Sequence, residues 1–132
     1  MRKYVILFWL VISIFLSSGC SDYGKKIQFG NLDLYYTSAV TKDEADKLGN
    51  YLVQRGINNN GAKKTVQLSK DGYTYQFRMV LKQDLEQDED TKRQFEKQAY
   101  LISQDVFNGE RVEVHACDED FKTIRVYLMK AY

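Results

Sequence analysis

The chain has 132 residues, room for one small domain and not two. Nineteen Lys+Arg balance 18 Asp+Glu for a formal charge of +1, without the basic surplus of a nucleic-acid binder. Apolar residues at 44% and aromatics at 14% exclude a chain disordered by composition, and one His with two Cys cannot build a zinc finger or ribbon.

The first twenty residues differ from the rest. Arg2 and Lys3 precede an apolar run, Tyr4 to Leu16, broken only by Ser13. Thirteen helical residues span roughly 20 Å, short of a ~30 Å hydrocarbon core. A secretory signal segment (1–19) is the expectation rather than a permanent transmembrane helix. Leu16-Ser17-Ser18-Gly19-Cys20 resembles the lipobox of bacterial lipoproteins. Gly19 at −1 and Ser18 at −2 fit that pattern. Ser17 stands at −3, where Leu is usual, and Leu16 sits one place earlier. The resemblance implies that Cys20 is acylated (palmitate among its chains) and becomes the mature N-terminus. It implies an exported envelope protein, held to the membrane by the lipid on Cys20. Ser21 lacks the Asp resembling an inner-membrane retention signal, which points to the outer membrane if the host is Gram-negative. Ser17 and Gly19 also fit an ordinary signal-peptidase site, which would leave Cys20 a free thiol. Removing residues 1–19 leaves 113 residues, with 17 basic against 18 acidic side chains and without Trp9, the only tryptophan. Residues 20–26 then read as the lipidated Cys and a short tether, and 27–132 as one domain.

The spacing predicts a first strand over 27–37, where Leu32, Leu34 and Tyr36 alternate with Asp33 and Tyr35, and Gly30-Asn31 marks a turn or bulge within it. Thr41-x-x-Glu44 is a capping box with Val40 and Ala45 as its staple. Ala45, Leu48 and Leu52 form one face of a helix over 42–55, and Gly56 suits its left-handed exit. Asn58 to Ala62 is a loop. Strands follow over 64–69 and 73–82, joined at Asp71-Gly72, a type I′ hairpin signal. The acids of Gln83 to Asp90 are solvated and lead into a second helix, with Phe95, Ala99, Ile102 and Val106 as its apolar stripe and Asn108-Gly109 as its end. Val112, Val114 and Ala116 alternate with Glu113, His115 and Cys117. The last strand, 123–129, places Ile124, Val126 and Leu128 on one face.

The order is β-α-β-β-α-β-β. This predicts an α+β fold with two helices on one face of an antiparallel sheet, either ferredoxin-like (split βαβ) or a related two-layer sandwich.

His115 and Cys117 share one strand face and precede Asp118, Glu119 and Asp120. His115, Cys117, Asp118 and Asp120 are therefore the candidates for a metal site or for a thiol-dependent enzyme. The plainer reading is a strand end, an acidic turn and a packed thiol, because two strong ligands do not close a zinc site. A Cys20–Cys117 disulfide is open only if Cys20 escapes acylation. Among the ten tyrosines, exposure of Tyr127 and Tyr132 near the end would make a binding surface; the plainer reading is that strands favour aromatics and half of them form the core. No phosphate loop, serine elbow or zinc-protease motif is present, so no catalytic residue and no cofactor is expected. The function expected is that of a non-catalytic domain binding another envelope protein. An inhibitor or immunity-type lipoprotein is a variant of that reading, and a small enzyme using His115 and Cys117 is its rival.

Overall fold

The computed structural model describes residues 23–81 and 85–131. Six strands and two helices follow in the order β-β-α-β-β-α-β-β. They are β1 (Lys25–Phe29), β2 (Leu32–Tyr36), α1 (Lys42–Gln54), β3 (Lys64–Asp71), β4 (Thr74–Val80), α2 (Glu89–Asp105), β5 (Val112–Cys117) and β6 (Thr123–Leu128), with a 3₁₀ turn, Leu85–Gln87, before α2. The strands make one sheet in sequential order, β1 to β6. The hairpins β1–β2, β3–β4 and β5–β6 are antiparallel. Each helix carries the chain between parallel neighbours, β2 to β3 and β4 to β5. The architecture is thus an α+β two-layer sandwich on a mixed sheet. Each parallel pair is directly hydrogen-bonded, with no strand inserted between its members. The related sandwich therefore holds, not the split, ferredoxin-like strand order.

One element differs in number from the reading of the sequence. The single strand expected over 27–37 is a hairpin. Gly30 at φ +59 turns the chain, and Ile27 pairs with Leu34. β1 also begins at Lys25, so the segment read as tether is partly built into the sheet. The second hairpin turns on Gly72-Tyr73, one residue later than expected, with Asp71 paired to Thr74. Gly72 has φ +59 and Tyr73 is not left-handed, the pattern of a type II′ rather than a type I′ turn.

The helices start and stop where their ends are chemically satisfied. Thr41 Oγ1 accepts from Glu44 N–H, and Glu44 reaches back to Thr41 N–H, closing the capping box. At the far end Gly56 N–H donates to Val53 O and Ile57 N–H to Leu52 O. This is a Schellman exit, permitted by Gly56 at φ +84. Asp88 caps α2 by accepting from Thr91 N–H at 3.1 Å. Asn108 (φ 55) and Gly109 (φ 85) end that helix region.

The core lies between the helices and one face of the sheet. Ala45, Leu48, Leu52, Ala99 and Ile102 meet Leu32, Leu34, Val66, Leu68, Phe77, Val112 and Val114, all buried. Tyr127 is a core aromatic and not an exposed one: it is 2% exposed and packs edge-to-face against Phe95. It sits there because β6 turns Tyr127, not Ile124, Val126 and Leu128, toward the helices. Tyr132 lies outside the described residues. Tyr75 stacks on Phe107 at 3.8 Å and donates its hydroxyl hydrogen to Glu44. The cap of α1 is thereby tied to the sheet.

Candidate functional site

Among the described residues no helix covers the other face of the sheet, and its residues can be read directly from the register. One row across the strands is Lys26, Tyr35, Gln67, Arg78, His115 and Val126. A neighbouring row contains Ser69, Gln76, Glu113 and Leu128. This face is polar at its centre and apolar along β6, the edge strand.

The polar centre is a linked network. Gln67 is buried, and its Nε2–H donates to the main-chain carbonyl of Tyr23 at 2.9 Å. Arg78 donates to Phe121 O and approaches His115 Nδ1 at 3.5 Å. His115 Nδ1 also lies 3.0 Å from Thr123 Oγ1, and Nε2 lies 3.0 Å from Glu113 Oε2. In the neutral ring, donors at Nδ1 and a carboxylate at Nε2 assign the ring proton to Nε2. Asp33, also buried, pairs with Lys63 at 3.0 Å. Asp33 Oδ1 and Arg78 Nε are buried and have no hydrogen-bond partner among the described residues.

An aromatic cluster roofs part of this network. The Tyr23 ring packs edge-to-face on Tyr35 (5.8 Å) and Phe121 (5.1 Å). Phe121 has φ 58, a region bulky side chains rarely enter. The turn holds it there: Phe121 N–H donates to Asp118 O, and Asp118 Oδ1 accepts from the N–H groups of Asp120 and Lys122. A cleft of ≈ 920 Å³ runs beside this roof, among Tyr23, Tyr35, Lys63, Thr65, Val80 and Phe121.

The structure brings His115 and Cys117 to the same strand face, as the alternation implied, but each is already engaged. Both imidazole nitrogens have partners. Cys117 is a fully buried free thiol whose Sγ–H points to the main-chain oxygen of His115, not to its ring. Burial pushes that thiol up from its ordinary value, although Arg78 opposes the shift. Asp118 closes the β5–β6 turn, Asp120 is exposed, and Glu119 lines the cleft. Among the described residues no group of three or more His, Cys, Asp and Glu side chains is placed to hold a metal ion. Cys20 lies outside the described residues. Among those described, no helix is long and apolar enough to cross a membrane.

Sequence reasoning did not find Tyr23, Gly24, Gln67 and Arg78. Gly24 has φ +96, and a Cβ there would lie 2.2 Å from Tyr36 O. Only glycine lets the chain fold back from β1 and lay Tyr23 over the sheet. The alternation of β3 and β4 put Gln67 and Arg78 on the polar face, but burial of that face depends on Tyr23 and Phe121, which alternation does not report.

No curated protein and no solved structure matched the chain. Residues 26–127, from β1 into β6, match a protein-family model described as a family N-terminal domain. The match takes in both helices and nearly the whole sheet, and the chain belongs to that family.

Proposed function

We propose that this protein is a lipid-anchored component of a bacterial envelope, and that its α+β domain binds another envelope protein without catalysing a reaction. The anchor rests on the lipobox-like run ending at Cys20. The observation that carries the binding role is the apolar stripe of Ile124, Val126 and Leu128, exposed by 50, 41 and 50% along the edge strand of the sheet. A row of exposed apolar side chains along an edge strand is a surface suited to an apolar partner. The groups best suited to chemistry, His115 and Cys117, are meanwhile spent on internal hydrogen bonds. That contrast favours binding over catalysis.

The test is crosslinking and purification from native envelopes, with the wild type beside Val126→Lys and Leu128→Lys. A protein recovered with the wild type and lost from both folded variants supports the proposal. Recovery unaffected by either substitution argues against the β6 stripe as the binding surface.

A further inference from the structure

The point at which the chain enters the fold fixes how a lipid-anchored domain can stand on its membrane. Gly24 turns the chain away from β1, an edge strand, and across the helix-free face. Gln67, on β3 near the middle of the sheet, grips the carbonyl of Tyr23, and the Tyr23 ring packs between Tyr35 and Phe121. Residue 23 is thus pinned over the interior of that face and not at its rim.

Two residues, Ser21 and Asp22, separate Cys20 from Tyr23, three Cα-to-Cα steps in all. Fully extended, they reach about 11 Å. Strands lie about 4.8 Å apart, so the sheet extends ~10 Å from β3 to β1 and ~14 Å from β3 to β6. Reaching past β1 and up to the helix layer, about another 10 Å away, would need roughly 20 Å of chain. The tether is too short for that path.

We infer that the helix-free face is apposed to the surface of the bilayer holding the Cys20 lipid, with α1 and α2 turned away from it. The inference rests on the lipidation reading above and commits to the bilayer as occupant of this face. It deepens the proposed binding role: Ile124, Val126 and Leu128 lie along the β6 margin of that same face, so the protein partner proposed for the stripe is one embedded in the same membrane and met at that margin.

The mature chain lacks tryptophan, since Trp9 lies in the signal segment, so single-tryptophan variants report position cleanly. Gln28→Trp and Val126→Trp place the probe at exposed positions on the helix-free face, one on each side of the sheet. Asn50→Trp and Lys97→Trp place it on exposed positions of α1 and α2. The full chain, processed in cells, is reconstituted into phosphatidylcholine–phosphatidylglycerol vesicles carrying a dansyl headgroup acceptor. Energy transfer from positions 28 and 126 should exceed that from 50 and 97 at least twofold. Inserting eight Gly/Ser residues between Ser21 and Asp22 should abolish the difference. Equal transfer from all four positions without the insert, or greater transfer from the helices, overturns the inference. Equal transfer would instead leave the face to a protein partner.

A second preparation couples the chain beginning at Cys20 to a maleimide phospholipid through the Cys20 thiol. If cells add no lipid but this preparation gives the same asymmetry, the orientation stands and the lipidation reading fails. If cells add lipid and the asymmetry is missing, the orientation alone fails.

Discussion

Replacing Gly24 by alanine tests whether the N-terminal segment is locked to the sheet. At φ +96 an L-residue incurs roughly 1–2 kcal/mol of backbone strain. The new Cβ would also lie 2.2 Å from Tyr36 O, a main-chain atom that cannot swing aside. The least expensive response is release of residues 23 and 24 from the face, so the loss is capped by what their docking contributes. The Gln67–Tyr23 hydrogen bond is worth about 1 kcal/mol. The two edge-to-face aromatic contacts add about 0.5–1.5 kcal/mol each. Gly24→Ala should therefore lower the unfolding free energy by about 2–4 kcal/mol and no further. Urea denaturation of the chain from Ser21, followed by circular dichroism, measures this. Trypsin should gain early cleavage at Lys25 and Lys26. Gln67→Met releases the same segment, so the two substitutions together should fall well short of additive. A change below about 0.5 kcal/mol, with an unaltered tryptic pattern, would mean that residues 23 and 24 are not locked to the sheet, because a change that small is ordinary for a surface substitution.

Thr41→Ala removes the acceptor for Glu44 N–H and should destabilise the domain by about 0.5–2 kcal/mol in urea; no change would mean that α1 does not depend on its cap. The Glu44–Tyr75 contact sets a pH dependence at both ends. Burial acts upward on the Glu44 carboxyl, but hydrogen bonds from Tyr75 and Thr41 outweigh it and hold the group below its ordinary 4.5. Its contribution is therefore full above 4.5 and lost as pH falls through the lowered value. Burial, with Glu44 beside it, pushes the Tyr75 hydroxyl from 10.0 up to about 12, so that contribution is full below 10.0 and lost as pH rises toward about 12. Urea midpoints of the wild type should fall more steeply than those of Glu44→Gln on the acid side, and more steeply than those of Tyr75→Phe on the alkaline side; parallel curves would contradict this. Cys117, fully buried, should resist a thiol-specific reagent in the folded chain from Ser21 and react fully in denaturant. Rapid stoichiometric reaction in the native state would place that thiol at the surface.

Much of the fold can be read in the sequence because local chemistry and tertiary packing agree there. The Thr41–Glu44 box, the Gly56 exit and the Ala45-Leu48-Leu52 stripe specify α1 without help from the rest of the chain. Val112, Val114 and Ala116 specify the inner face of β5 in the same way. Strand order is different in kind. A β-α-β-β-α-β series has the same periodicities whether its parallel pairs are adjacent or split, so nothing local separates the two. The turn at Gly30-Asn31 is visible as punctuation, but a bulge and a hairpin share the same residues, and only the pairing of Ile27 with Leu34 distinguishes them. β6 shows a further limit. Ile124, Val126 and Leu128 form its most apolar stripe, yet Tyr127 is the buried residue, because α1 and α2 stand on the Tyr127 side of the sheet. The candidate site was legible as a set of residues and not as a set of bonds. Alternation places Glu113, His115 and Cys117 on a common face. It does not reveal that Thr123, Arg78 and Tyr23, from three other segments, complete the network around them.

The most direct test of the lipid-anchor account is the intact mass of the protein purified from host membranes. A lipid-anchored protein should begin at Cys20 and carry a thioether-linked diacylglyceryl group, with a shift of the Cys20→Ala variant to the unprocessed precursor mass. An unmodified chain beginning at Cys20, or a membrane-bound chain that still retains residues 1–19, would contradict it.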